Sequence, residues 1–258
     1  MHIVIALALA AQFTLVSMEE EIAIGKQVNA EVRKEMPPLA DTQVNAYVRS
    51  IGEQLVRHAG GPKYPYSFGV IDYREINAFA LPGGPIWVHR GVLMSATNES
   101  QVAGVLAHEV AHIAQRHAAQ QLTKATLTNW GIGLLGAFLG NSTGASTAQA
   151  AAGMLANGVF LKFSRDDERE ADRVGLLILR KAGWDPRGMT ELFEILRKEA
   201  ARDPGSVEIF LSSHPAPQER ITLLQRSIGR NPGGRRDSQQ FRNIKARLAR
   251  LPAPKPMK

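Results

Sequence analysis

The 258-residue chain contains no cysteine. That excludes disulfides, thiolate metal sites, cysteine nucleophiles and a lipid anchor carried on a cysteine, and leaves the redox compartment open. No apolar run is long enough to cross a bilayer as a helix, which takes roughly 20 residues. Ile3–Val16 and Trp130–Leu139 both fall short. Acids are almost missing from the C-terminal end. Between Arg226 and Lys258 a single Asp faces 10 Lys and Arg, so the remainder carries a net −2 although the whole chain is +7. The basic character therefore belongs to a tail, residues 229–258, and not to the body. Such a tail reads as partly disordered, with a basic helix over Gln239–Leu251 and a disordered end, and suited to peripheral contact with an anionic membrane; no specific nucleic-acid partner is expected.

What is present is ordinary globular composition, with 44% hydrophobic and 21% charged residues, enough for a sizeable core. Ile3–Val16 has the length of a signal-peptide core, although no Lys or Arg precedes it. Residues 1–17 are thus read as an export signal or an ordinary apolar N-terminus. Ser17 followed by three Glu marks a helix start, and Pro37-Pro38 ends that helix. Val44, Tyr47, Val48, Ile51 and Leu55 give a second amphipathic helix. Tyr66–Asp72, Asn77–Leu81 and Ile86–His89 read as three short strands separated by turn signals such as Pro82-Gly-Gly-Pro. Thr123–Phe160 is read as a packed helical hairpin, with a lid or a membrane-touching loop as alternatives. The expected fold class is α+β: a mostly helical domain over residues 18–228, with a small sheet feeding into one central helix.

That helix carries HEVAH, residues 108–112. His108 and His112 are four apart, so both imidazoles share a helix face and can reach one metal ion. Glu109 lies about 100° round the helix. This sets a carboxylate beside the metal, where it could take a proton from water. Catalytic zinc usually takes three protein ligands. His117 is nine residues after His108, about 180° away on a continuous helix, and reads as an exposed helix-end residue. Glu168 and Asp172, four apart on a second helix, could supply a ligand and a partner for a histidine ring N–H. From spacing alone, a solvated acidic helix start explains them equally well. The Asn77–Leu81 strand or its neighbour could offer main-chain groups to an extended substrate, and an ordinary hairpin is the plain alternative.

HEVAHIAQRH, then FSRDDEREAD, then SSHPAPQERI, in this order, resemble the HtpX-like and CAAX-prenyl-protease-like zinc metallopeptidases. The likeness is strongest to their soluble bacterial envelope branch. The resemblance implies a zincin-type (gluzincin) domain holding one zinc ion on His108, His112 and Glu168, with Glu109 as general base. It places Asp172 behind the ligands and His214 of the His-Pro motif near the metal, able to occupy the water site as a latch. Asn77, Ala78, Phe79 and Ala80 resemble the family's substrate-binding edge strand. His214 or Arg220 would stabilise the developing oxyanion. The expected activity is metalloendopeptidase cleavage of misfolded or unassembled cell-envelope proteins in a bacterial periplasm. The alternative is a latched, weakly active assembly or quality-control factor that mainly binds its clients.

Overall fold

The computed structural model describes residues 14–130, 162–215, 218–230 and 232–257. Helix α1, Met18–Glu35, starts on a capping box: the Ser17 hydroxyl accepts from the Glu20 N–H, and the Glu20 carboxylate accepts from the Ser17 N–H. Acids fill its first turn, and Arg33 and Lys34 its last, as the helix dipole favours. Asp41 caps α2, Thr42–Val56, by accepting from the Gln43 and Val44 N–H groups.

Three strands follow: β1, Ser67–Ile71; β2, Ala78–Ala80; and β3, Pro85–His89. Their order is β1-β3-β2, with β1 parallel and β2 antiparallel to β3. β2 therefore lies at an edge. Alternation divides the core. Val70, Ala78, Ala80, Ile86 and Val88 join the main cluster with α2 and the HEVAH helix, while Phe79 and Trp87 meet Ile24, Val28 and Val32 of α1 in a smaller one.

After α3, Arg90–Ser95, comes α4, Glu99–Ala114, capped by Asn98 and buried along its whole length. Then follow α5, His117–Trp130; α6, Arg165–Lys181; α7, Arg187–Arg202; a 3-10 turn, Pro204–Ser206; α8, Glu208–Ser213; α9, Gln218–Ile228; and α10, Gln239–Leu248. α4 is the hub, packed against α2, β2, α6 and α7. α6 reaches its backbone at Gly175, where a Cβ would stand 3.2 Å from the Ala107 carbonyl oxygen. The fold is α+β and mostly helical. Among the described residues no helix is long and apolar enough to cross a membrane. The hairpin expected over Thr123–Phe160 lies, beyond Trp130, outside the described residues, as do residues 1–13.

The tail corrects an expectation. Residues 229–258 read as partly disordered, yet the described part is built into the body. Phe241, Ile244 and Leu248 of α10 are buried in the main core. The Arg235 guanidinium lies 3.7 Å over the Trp184 ring. Residues 252–257 form a strap along residues 72–75: the Lys255 N–H donates to the Asp72 carbonyl at 3.0 Å, the Arg74 N–H to the Lys255 carbonyl at 2.9 Å, and the Met257 N–H to the Glu75 carboxylate at 3.0 Å. Arg90, only 2% exposed, donates to the carbonyls of Leu248 and Pro252. Average composition hid an amphipathic pattern. Much of the positive charge is also committed internally, with Arg247 paired to Asp41, Arg236 to Glu191, and Lys245 on the last carbonyls of α3.

Gly25 gives a prediction whose sign is contested. Within a helix, Gly→Ala is usually favourable by about 1 kcal/mol. Here the Pro82 carbonyl, in the turn after β2, lies 1.7 Å from where the Cβ would sit. A backbone clash of that size outweighs the propensity, since overpacking costs roughly 1–3 kcal/mol. Gly25→Ala is therefore expected to lower the urea midpoint; a rise would show that α1 moves freely over the turn.

Candidate active site

Four side chains from three parts of the chain converge beside α4. His108 and His112 project from one face of that helix, Glu168 from the first turn of α6, and His214 from the end of α8. The His108 and His112 Nε2 atoms are 3.0 Å apart. Glu168 Oε1 is 3.3 Å from His112 Nε2, and its Oε2 is 3.5 Å from His108 Nε2. His214 Nδ1 is 2.9 Å from Glu168 Oε1 and 3.4 Å from His108 Nε2. All four are buried. A tetrahedral zinc ion with bonds of about 2.0–2.1 Å holds its donors about 3.3–3.4 Å apart. The quartet already has nearly that spacing, and three imidazoles with a carboxylate are a zinc set.

The surroundings hold these donors in place. Asp172, one turn along α6 from Glu168, sets its Oδ1 3.2 Å from His108 Nδ1. Arg220 of α9 is buried and grips the carboxylates from behind. Its Nη2 donates to Asp172 Oδ1 at 2.8 Å and its Nε to Oδ2, while Nη1 meets Glu168. Nη1 also donates to the Pro215 carbonyl at 2.8 Å, fixing the residue after His214. The Phe163 ring stacks on His112 with centroids 3.9 Å apart. α6 starts in the right place because Ser164 and Asp167 form a capping box.

Electrostatics favour a cation here. Burial opposes a proton on His108, but Asp172 and Glu168 outweigh it and raise the ring pKa to about 9. Burial drives His112 well below its ordinary value. Burial also pushes Glu168 and Asp172 upward, yet the histidines hold Glu168 far below the carboxylate range, and Arg220 and His108 hold Asp172 below it. Glu109 differs. It is fully buried, and burial raises its pKa against the pull of His214, His108 and the Ala80 amide. Its Oε1 is 3.6 Å from His214 Nε2.

β2 runs alongside α4, with Ala78 and Ala80 on the α4 side and Phe79 on the other. Asn77, just before it, is 1% exposed and neither side-chain polar atom has a partner among the described residues. A small, water-sized cavity of about 20 Å³ lies beside Glu109, lined by Val105, Met189, Leu192, Phe193 and Phe210 among others.

His117 is not where helical phase put it. α4 ends at Ala114, Arg116 takes the left-handed conformation at φ 57°, and α5 starts afresh at His117. The chain turns back, and the His117 ring is buried with its Nδ1 2.8 Å from His112 Nδ1. It remains outside the donor quartet but is not an exposed helix-end residue. Gln115-Arg116-His117 contains no helix breaker, so nothing local announced the turn.

The sequence profile of peptidase family M48 matches residues 42–228. The chain belongs to peptidase family M48. The Beta-barrel assembly-enhancing protease of Escherichia coli (strain K12) is 35% identical over 239 residues, which cover 90% of this chain and 48% of that protein. The Mitochondrial metalloendopeptidase OMA1 of Schizosaccharomyces pombe is 31% identical over 220 residues, covering 83% of this chain and 63% of that one. OMA1 of Saccharomyces cerevisiae is 39% identical over 155 residues, 58% of this chain and 43% of its own. This M48 chain thus spans about half the length of the bacterial relative. Zinc fits both the family and the donor set.

Proposed function

We propose that this chain is a zinc-dependent metalloendopeptidase that cuts unfolded or unassembled cell-envelope proteins, with His214 holding it at rest. The observation that carries the reading is the buried His108, His112, Glu168 and His214 quartet with the fully buried Glu109 carboxylate beside it. Zinc, when bound, polarises the scissile carbonyl and acidifies a water molecule. The chain's own residues do the rest. Glu109 is the general base: its buried carboxylate takes the water proton and passes it to the leaving amine nitrogen. Its raised pKa brings it closer to neutrality, where a base works best. Asp172, gripped by Arg220, fixes the His108 ring. Asn77 to Ala80 at the sheet edge lend main-chain groups to an extended substrate. Once His214 has moved away, it or Arg220 stabilises the oxyanion.

His214 supports the second reading, a latched factor that mainly binds clients. A closed set of four protein donors leaves no position for water. The bacterial relative named as a β-barrel assembly-enhancing protease supports protein clients caught during assembly; the reading takes these as envelope proteins handled in a bacterial periplasm. The exposed arginines around α10 suit peripheral contact with an anionic membrane.

Purified protein incubated with an unfolded protein tests both readings. Wild type should cleave slowly, lose activity to a chelator and regain it with zinc; His214→Ala should cleave roughly tenfold or more faster, about 1.4 kcal/mol in barrier. Equal rates remove the latch. No cleavage by either protein removes the peptidase.

A further inference from the structure

We infer that His117 is a positioning residue which, together with Glu170, fixes the His112 ring for metal binding. The inference rests on the quartet as a zinc site and adds a layer to it. His117 is fully buried at the head of α5. Its Nδ1 lies 2.8 Å from His112 Nδ1, and its Nε2 lies 3.3 Å from Glu170 Oε2. Glu170 in turn sets Oε1 3.6 Å from the Arg173 guanidinium.

These contacts allow only one arrangement of protons compatible with a ligating His112. His112 turns Nε2 toward the quartet, so Nε2 must offer its lone pair and the ring proton must sit on Nδ1. That proton points at His117 Nδ1, which has to accept it. His117 therefore carries its own proton on Nε2, and that N–H donates to the Glu170 carboxylate, which can only accept. An acidic group at the far end thus sets the tautomer of a ring two hydrogen bonds away. His108 reaches the same result directly, through Asp172 at 3.2 Å from its Nδ1. Each imidazole on α4 is thus held by a carboxylate of α6, one at first hand and one through a relay. Such outer contacts orient the ring and raise its basicity, and their loss weakens metal binding about 10–100-fold.

The left-handed Arg116 makes this possible. On an unbroken helix His117 would face away from the metal; the reversal at φ 57° brings it back. A break at a residue other than glycine is uncommon, and here it serves a contact between histidines five positions apart.

The test is zinc affinity of the whole protein, measured by competition with a chromogenic chelator, alongside thermal unfolding of the metal-free forms. His117→Leu should raise the zinc dissociation constant about 10–100-fold. His117→Gln, whose amide can accept from His112 and donate to Glu170, should recover most of that loss. Metal-free melting temperatures should not track the affinities. Unchanged affinity in His117→Leu overturns the inference, and so does a Gln variant as weak as Leu, because then ring shape and not hydrogen bonding matters. If the Leu variant does not fold, Glu170→Ala replaces it and should weaken zinc severalfold; wild-type affinity there is equally decisive. A wild type that binds zinc without cleaving protein removes the proposed activity and leaves the relay standing. Cleavage by wild type with unaltered zinc affinity in His117→Leu does the reverse.

Discussion

Glu109→Gln should retain zinc and lose peptidase activity by roughly 10²–10⁴-fold, the usual contribution of a general base. Gln has the size of Glu, so the pocket around residue 109 keeps its shape. The amide cannot accept a proton at working pH, so the water stays unactivated and the leaving amine unprotonated. Zinc should stay because Glu109 is outside the donor quartet. Stability separates this loss from misfolding. The native carboxylate is fully buried, and burial raises its pKa. A buried charge is more expensive than a buried amide, so the variant should melt no lower than wild type. Full activity in Glu109→Gln would sink the mechanism. Loss of both zinc and melting temperature would assign Glu109 to structure instead.

Arg220→Met should destabilise the metal-free protein by about 3–5 kcal/mol, the cost of removing one partner from a buried ion pair. Arg220 is 4% exposed and meets Asp172, Glu168 and the Pro215 carbonyl. Methionine keeps the aliphatic bulk against Phe193 but leaves two buried carboxylates without their cation. The pH dependence gives an independent signature. In wild type Asp172 is held below its ordinary value: burial pushes upward, and Arg220 and His108 outweigh it. A depressed carboxyl stabilises the fold above its unfolded pKa of about 3.9 and loses that contribution as pH falls through the folded value. In the variant burial acts with less opposition, so Asp172 takes up a proton at higher pH and the penalty is relieved there. The gap between the two proteins, followed by urea unfolding, should narrow as pH falls from 7 toward 4. A constant gap would mean that lost packing, and not unpaired charge, explains the effect.

The elements that carry the metal site were legible because their signals are local. Ser17, Asn98 and Ser164 each cap the helix they precede, and four-residue spacing placed His108 above His112 and Glu168 above Asp172. Strand order was not legible, since pairing β1 with β3 depends on contacts across the intervening β2. His117 was misread because helical phase is informative only while the helix continues, and Arg116 ends it without glycine or proline. The tail was legible as a helix near Gln239–Leu251 but not as part of the core, because nine positive charges dominate residues 229–258. The burial of Phe241, Ile244 and Leu248 decides its structure, and the partners of its arginines lie far away in sequence, as Asp41 does for Arg247. His214 came only from family likeness. Nothing in Ser-Ser-His-Pro by itself points to a metal; what brings its ring to Glu168 is the end of α8 meeting the start of α6.

The strap of residues 252–257 sets a timetable for synthesis. Met257 and Glu75 are 182 positions apart. At 5–20 residues per second a ribosome needs roughly 10–35 s to cover that distance. Both helices that carry the candidate metal donors, and His214 after them, emerge within this interval. A nascent chain therefore has every donor of the quartet before the backbone leading into β2 receives its hydrogen bonds from the strap.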